Sequence, residues 1–139
     1  MDNDRPKVLL FSFGYKYGTP LDAQLVLDLR ALPNPFWVAD LRQGSGLDPA
    51  VADYVLASAE GAKMLALLVP LIQFSTLIWA EAGKGHFTAA LGCTGGHHRS
   101  VAMAAAIAAR LREQGLDVTT WHRDLVHEAA IDPLPTSGQ

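Results

Sequence analysis

One stretch, Gly92-Cys93-Thr94-Gly95-Gly96-His97-His98-Arg99-Ser100, constrains the fold of this chain more than any other. Phe87-Thr88-Ala89-Ala90-Leu91 precedes it and reads as a buried strand. Val101 to Arg112 follows it, almost all Ala, Val, Met, Ile and Leu, and reads as a buried helix. A strand, a glycine-rich turn and a helix aim unpaired backbone N–H groups and the positive end of the helix dipole at one point. Gly95 and Gly96 allow positive φ and a close approach of the backbone to a ligand. Arg99 supplies a planar fork suited to two phosphate oxygens, His98 a further donor, and Thr94 and Ser100 hydroxyls. A glycine pair after a strand is by itself only a turn. Its combination with Thr, His, Arg and Ser at this junction reads as an anion site.

The same stretch reads C-x5-R-S, the outline of a tyrosine-phosphatase loop, in which a thiolate attacks phosphorus. The loop N–H groups and Arg99 would acidify Cys93. Gly92 stands where that pattern usually has His, and no separate acid loop is identifiable. A buried, unreactive thiol is the commoner fate of a lone cysteine. Phosphatase chemistry is therefore the second reading and anion binding the first.

The remaining segments alternate strand and helix patterns. Lys7 to Phe13 is a continuous apolar run that predicts a central strand, ended by Gly14. Tyr15 to Pro20 is a polar, aromatic loop, and Leu21 to Gln24 a turn or short helix. Leu25 to Arg30 predicts a second strand, with Asp28 and Arg30 on one face. Pro33-Asn34-Pro35 forbids a helix, so 31–42 reads as a structured loop. Asp48-Pro49 opens a helix, and a longer one runs from about Glu60 to Ala82 with a kink near Pro70. His86 to Leu91 is the third strand and Asp117 to His122 the fourth. The expectation is an α/β fold: about four strands in a mainly parallel sheet flanked by helices, a single domain over 7–127. Residues 1–6 read as an N-terminal tail and 128–139 as a flexible one. Ligands bind beyond the carboxyl ends of such strands. Lys16 with Tyr17, Asp28 with Arg30, the Cys93–Ser100 loop, and His122 with Arg123 and Asp124 all fall near such ends, where one pocket can gather them.

Bulk properties narrow the classes. Half the residues are apolar, 18% are charged and the formal net charge is -3, so no basic excess points to nucleic acid. One cysteine excludes an internal disulfide framework and fits a reducing cytoplasm. The polar start Met1-Asp2-Asn3-Asp4-Arg5 is no signal peptide. No two histidines have the spacing of a zinc site, and no metal or cofactor is implied. Met64 to Ala80 carries no charge and approaches the length of a membrane span. Pro70, Gln73, Ser75 and Thr76 interrupt it, and it reads instead as a helix buried in the fold or between subunits. Its apolar residues surround the helix too widely for one stripe, which predicts a homodimer with Phe74, Ile78 or Trp79 near the interface.

Together, S-F-G-Y-K-Y-G-T-P-L-D-A, L-D-L-R-A-L-P-N-P, G-L-D, D-Y-V-L, G-C-T-G-G-H-H-R-S-V and H-R-D-L resemble the C-terminal domain of the RapZ/YvcJ family, from about Val8 to Leu125. That resemblance implies an α/β domain with a phosphosugar pocket, specific for glucosamine-6-phosphate in the best-known member. By motif match the ligand-binding residues are Lys16, Tyr17, Asp28, Arg30, Cys93, Thr94, Gly95, His98 and Arg99, to which the loop chemistry adds Gly96 and Ser100. Phe36 stands where the family often has His, and His97 where the best-known member has Lys. Full-length relatives carry an N-terminal P-loop domain, but this sequence has no G-x-x-x-x-G-K-[ST] stretch. The adapter member binds RNA through basic surface, whereas Glu128 to Pro133 here holds no Lys or Arg. The expected function is a cytoplasmic module that senses a phosphorylated sugar, an amino sugar included, or a similar anion, and reports it to a partner. A Cys-dependent phosphatase and an RNA-binding adapter are the alternatives.

Overall fold

β1 (Lys7–Gly14), β2 (Leu25–Asp28), β3 (Phe87–Cys93) and β4 (Asp117–His122) form one sheet in the order β2-β3-β1-β4, and every pairing is parallel. The structure, a computed structural model, describes residues 5–127. The tail expected over 128–139, and residues 1–4 of the expected N-terminal tail, lie outside the described residues. The α/β expectation and the single four-stranded sheet hold.

Three helices flank the sheet: α1 (Pro49–Leu56), α2 (Ala59–Glu81) and α3 (Arg99–Glu113). All three pack on the face that carries Val8, Leu10, Phe87, Ala89 and Leu91. Crossover hand explains this. The β2–β3 and β3–β4 connections step across the sheet in one direction, and β1–β2 steps back in the other. Right-handed crossovers then place the helices on one face and the 15–24 connection on the opposite face. That connection is too short to hold a crossover helix. It packs Tyr15 and Ala23 against Phe11, Phe13 and Ala90 instead.

Ala-rich α3 is the centre of the core. Val101, Ala102, Met103, Ala104, Ile107, Ala108 and Leu111 are all buried, and small Ala side chains let the sheet and the other two helices approach from several sides. Ser58 caps α2 by accepting the Gly61 N–H at 2.9 Å. α2 continues through Pro70 as one 23-residue helix. It is long and apolar enough to cross a membrane by length and composition. It packs Leu65, Leu68, Val69, Ile72 and Thr76 inward and leaves Leu67, Leu71, Phe74 and Ile78 exposed. Trp79 stacks edge-on against Phe87 at 5.9 Å within this chain, so the outward stripe includes Phe74 and Ile78 but not Trp79.

Three element ends differ from the sequence reading. The second strand, expected to reach Arg30, stops at Asp28, whose carboxylate accepts the Arg30 N–H and turns the chain. The third strand extends through Gly92 and Cys93, because Phe13 and Gly14 of β1 continue the ladder beside them. α3 begins at Arg99 rather than Val101, so Arg99 and Ser100 lie in its first turn.

Candidate functional site

The 93–100 loop sits at the carboxyl ends of β1 and β3, where three other segments are fastened to it. Lys16 N–H donates to Thr94 O at 3.1 Å, Leu29 N–H to Gly92 O at 2.7 Å, and Gly46 N–H to His97 O at 2.8 Å. Gly14 N–H donates to the buried Asp124 carboxylate at 2.7 Å, tying the end of β1 to the segment after β4. The approach of β1 to the loop is close: a Cβ on Gly14 would lie 2.5 Å from Gly95 C and 2.8 Å from Gly96 N. Gly96 itself has φ +75°, the left-handed region that glycine occupies without strain.

The predicted site residues divide into a buried set and an exposed set. Cys93, Gly95, Gly96, His98, Arg99 and Ser100 are buried and Thr94 half-buried, whereas Lys16, Tyr17, Asp28 and Arg30 are exposed. His98 precedes α3 and its side chain caps nothing there; its Nε2 lies 3.1 Å from Arg42 O. No acidic residue occupies the first turn of α3. The positive end of the helix dipole is therefore not offset by a carboxylate of its own.

Arg99, 1% exposed, points its Nη1 at Arg30 O, 2.6 Å away, and at Leu32 O, 3.4 Å away. It braces the chain after β2 against the start of α3, instead of extending into solvent. The accessible fork is Arg30. Its Nε and Nη2 grip Asp28 at 2.9 and 2.6 Å, and its guanidinium lies 4.0 Å from the Tyr15 ring centroid. The Arg30 hydrogen bonds hold the Asp28 carboxyl below the usual carboxylate range. β2 ends at Asp28, whose Oδ1 also accepts the Arg30 N–H at 3.0 Å and turns the chain. Tyr17 stacks on His127 at 3.9 Å, and the Lys16 ammonium lies 5.4 Å from the Tyr17 ring centroid.

Cys93 is 2% exposed. Its Sγ lies 3.1 Å from Ser100 Oγ and accepts the Ser100 N–H at 3.4 Å. Burial lowers the proton affinity of His97, His98 and His122. His122 Nδ1 also lies 2.8 Å from Ser12 Oγ. Among the described residues no three His, Cys, Asp or Glu side chains gather into a metal-holding cluster.

Four contributors were not singled out from the sequence: Gly14, Tyr15, Arg42 and Gly46. A Cβ on Gly46 would meet Ala102 N and His98 O at 2.4 Å, so the loop over α3 closes only with glycine there. The signal available was a glycine directly after a strand and another inside Gly44-Ser45-Gly46, but glycine patterns do not say which backbone will approach. Asp124, grouped with the pocket from its position after β4, acts as the anchor of Gly14.

Residues 6–126 match the RapZ C-terminal domain. A nucleotide-binding protein of Nocardioides sp. is 48% identical over 127 residues, covering 91% of this chain and 42% of that protein. Proteins of the same name from Anaeromyxobacter dehalogenans and Salinispora tropica are 48% and 49% identical over 127 residues, with 43% and 42% of their lengths covered. The chain thus spans about two fifths of these relatives. With its parallel four-stranded sheet, its strand–loop–helix junction and a match over nearly all described residues, the chain belongs to the RapZ C-terminal domain family.

Proposed function

We propose that this member of a family of regulatory binding modules recognises a phosphorylated amino sugar at the 93–100 loop and reports it to a partner. The observation that carries the reading is the Arg99–Arg30 hydrogen bond. It draws an uncapped, acid-free helix N-terminus and the exposed Asp28–Arg30 pair into one site. Phosphate suits the helix terminus and Arg30. The Asp28 carboxylate suits sugar hydroxyls or an ammonium group. The relatives are named nucleotide-binding, so ATP belongs among the ligands tested. Thermal shift with glucosamine-6-phosphate, glucosamine, ATP and inorganic phosphate tests the reading, because a ligand that binds only the native state raises its stability. The sugar phosphate should give the largest shift. Equal shifts from all four, or none, would sink the proposal.

A Cys-dependent phosphatase has two observations in its favour: Ser100 offers Cys93 both a hydroxyl and an N–H, and the Arg99 side chain also interacts with Cys93. One observation weighs against it: Cys93 is 2% exposed and closed to solvent.

The outward stripe of α2 is proposed to meet a second copy of the chain. Leu67, Leu71, Phe74 and Ile78 follow one another at alternating steps of four and three residues, the spacing of a helix–helix seam.

A further inference from the structure

The sheet face turned away from the helices carries a hollow that the anion loop does not use. Parallel sheets are ordinarily covered on both faces. Here the 15–24 connection covers the part around Phe13 and Ala90 and stops. Beside it lies a cavity of about 320 Å³ with Leu9, Phe11, Thr88 and Trp121 from the sheet and Asp22, His86 and Arg123 at its margin. That volume falls at the small end of ligand pockets, roughly 300–1,000 Å³.

The lining selects a ligand class. Phe11 and Trp121 are stacked, with centroids 4.8 Å apart and planes 12° from parallel, and Trp121 stays 39% exposed. Phe11 is itself only 6% exposed, so the flat surface offered to a planar guest is that of Trp121. Thr88, His86 and Asp22 give the margin hydrogen-bonding groups. Charge excludes an anion. The Arg123 guanidinium already holds the Asp124 carboxylate at 2.7 Å and Gly18 O at 2.7 Å, and Asp22 would repel negative groups. A nucleic acid strand needs cations along its path, and Arg123, the one arginine or lysine of this lining, is already paired.

We propose that this hollow is a second ligand site, for a small, uncharged, planar heteroaromatic molecule held against Trp121 with its polar edge toward Thr88 and Asp22. A nucleobase and an indole share that chemistry, so adenosine and indole are the two probes. Each is titrated to about 10 mM into the full chain while backbone and indole N–H resonances are followed by NMR, a range that captures millimolar dissociation constants. One or both probes should move the Trp121 indole and the Leu9 and Thr88 amides saturably, while residues 94–100 stay still. Inorganic phosphate should not move the Trp121 set. Trp121→Leu should weaken the probe about tenfold or more, and Thr88→Phe, which fills the hollow, should do the same if it folds. No saturable shift by either probe, or unchanged affinity in Trp121→Leu, overturns the proposal. So does a Trp121 shift that follows protein concentration alone, which would make this face a contact between copies. Failure here leaves the anion loop untouched, since the two sites are read by different resonances.

Discussion

Nη1 of Arg99 donates a 2.6 Å hydrogen bond to the carbonyl oxygen of Arg30. Through it the first residue of α3 braces the turn that follows β2. The two arginines differ in surroundings: Arg99 is an internal strut, and Arg30, half exposed, is the group the proposed ligand would meet first. Hydrogen bonds to a charged group contribute about 1.5–3 kcal/mol, and an acceptor left buried without its donor costs a similar amount.

Arg99→Ala should therefore reduce stability and ligand affinity together, each by about 2 kcal/mol or more. Arg99→Lys should recover only part, since an ammonium cannot reproduce the fork. Urea unfolding and calorimetric titration with glucosamine-6-phosphate check this. A variant of wild-type stability and affinity would remove Arg99 from the site.

Arg30→Ala separates the two roles. It should weaken binding while leaving stability within about 1 kcal/mol, because an exposed ion pair contributes little to folding. Loss of stability without loss of affinity would reverse the assignment.

Gly14→Ala tests the close approach of β1 to the loop. The added Cβ would lie 2.5 Å from Gly95 C, against backbone that has no rotamer to yield. Overpacking of this kind costs about 1–3 kcal/mol, and displacement of the loop should lower phosphate affinity as well. Normal affinity at normal stability would show that the loop has room to move.

Cys93→Ser should keep ligand affinity within about threefold, equivalent to under 1 kcal/mol. The protein should release no phosphate from aryl phosphates, and the native thiol should react slowly with Ellman's reagent because it is closed to solvent. Turnover that vanishes in Cys93→Ser would establish the phosphatase instead.

Acid should loosen the loop. His97, His98 and His122 have folded pKa values depressed by burial, so the unfolded chain takes up their protons first. Their contribution to stability is complete above the unfolded value of about 6.5 and is lost as pH falls through the lower folded values. Asp28 behaves alike at lower pH, its stabilisation present above about 3.9 and lost below it. Thermal melts should be level around neutral pH and decline below about pH 6.5. A melting temperature rising between pH 7 and 5 would contradict the sign for all three histidines.

Phe74→Lys and Ile78→Glu interrupt the outward stripe of α2 without touching its inward face. Light scattering at micromolar concentration should give a dimer for the wild-type chain and a monomer for the variants. A wild-type monomer, or a dimer indifferent to both changes, would refute the α2 interface.

Much of this protein follows from local sequence. The apolar run Lys7 to Phe13, the strand before Gly92 and the Ala-rich helix after it carry their periodicity in their own residues. The 93–100 junction was legible for the same reason: the order strand, glycine, helix brings its residues together whatever the rest of the chain does. So was the Asp28–Arg30 pair, two residues apart. What the tertiary structure alone decided depends on residues distant in the chain. Arg99 turns inward because Arg30 O and Leu32 O, nearly seventy positions away, offer acceptors where solvent does not reach. Trp79 packs on Phe87, and Phe74, one and a half turns earlier, faces outward, because the helix has one core to meet. The helices share one face, and the other keeps its hollow, because β2 lies beyond β3 and crossover hand then leaves a connection too short for a helix to cover it. Local pattern sets which residues are apolar. Strand order and crossover hand set which of them find a partner.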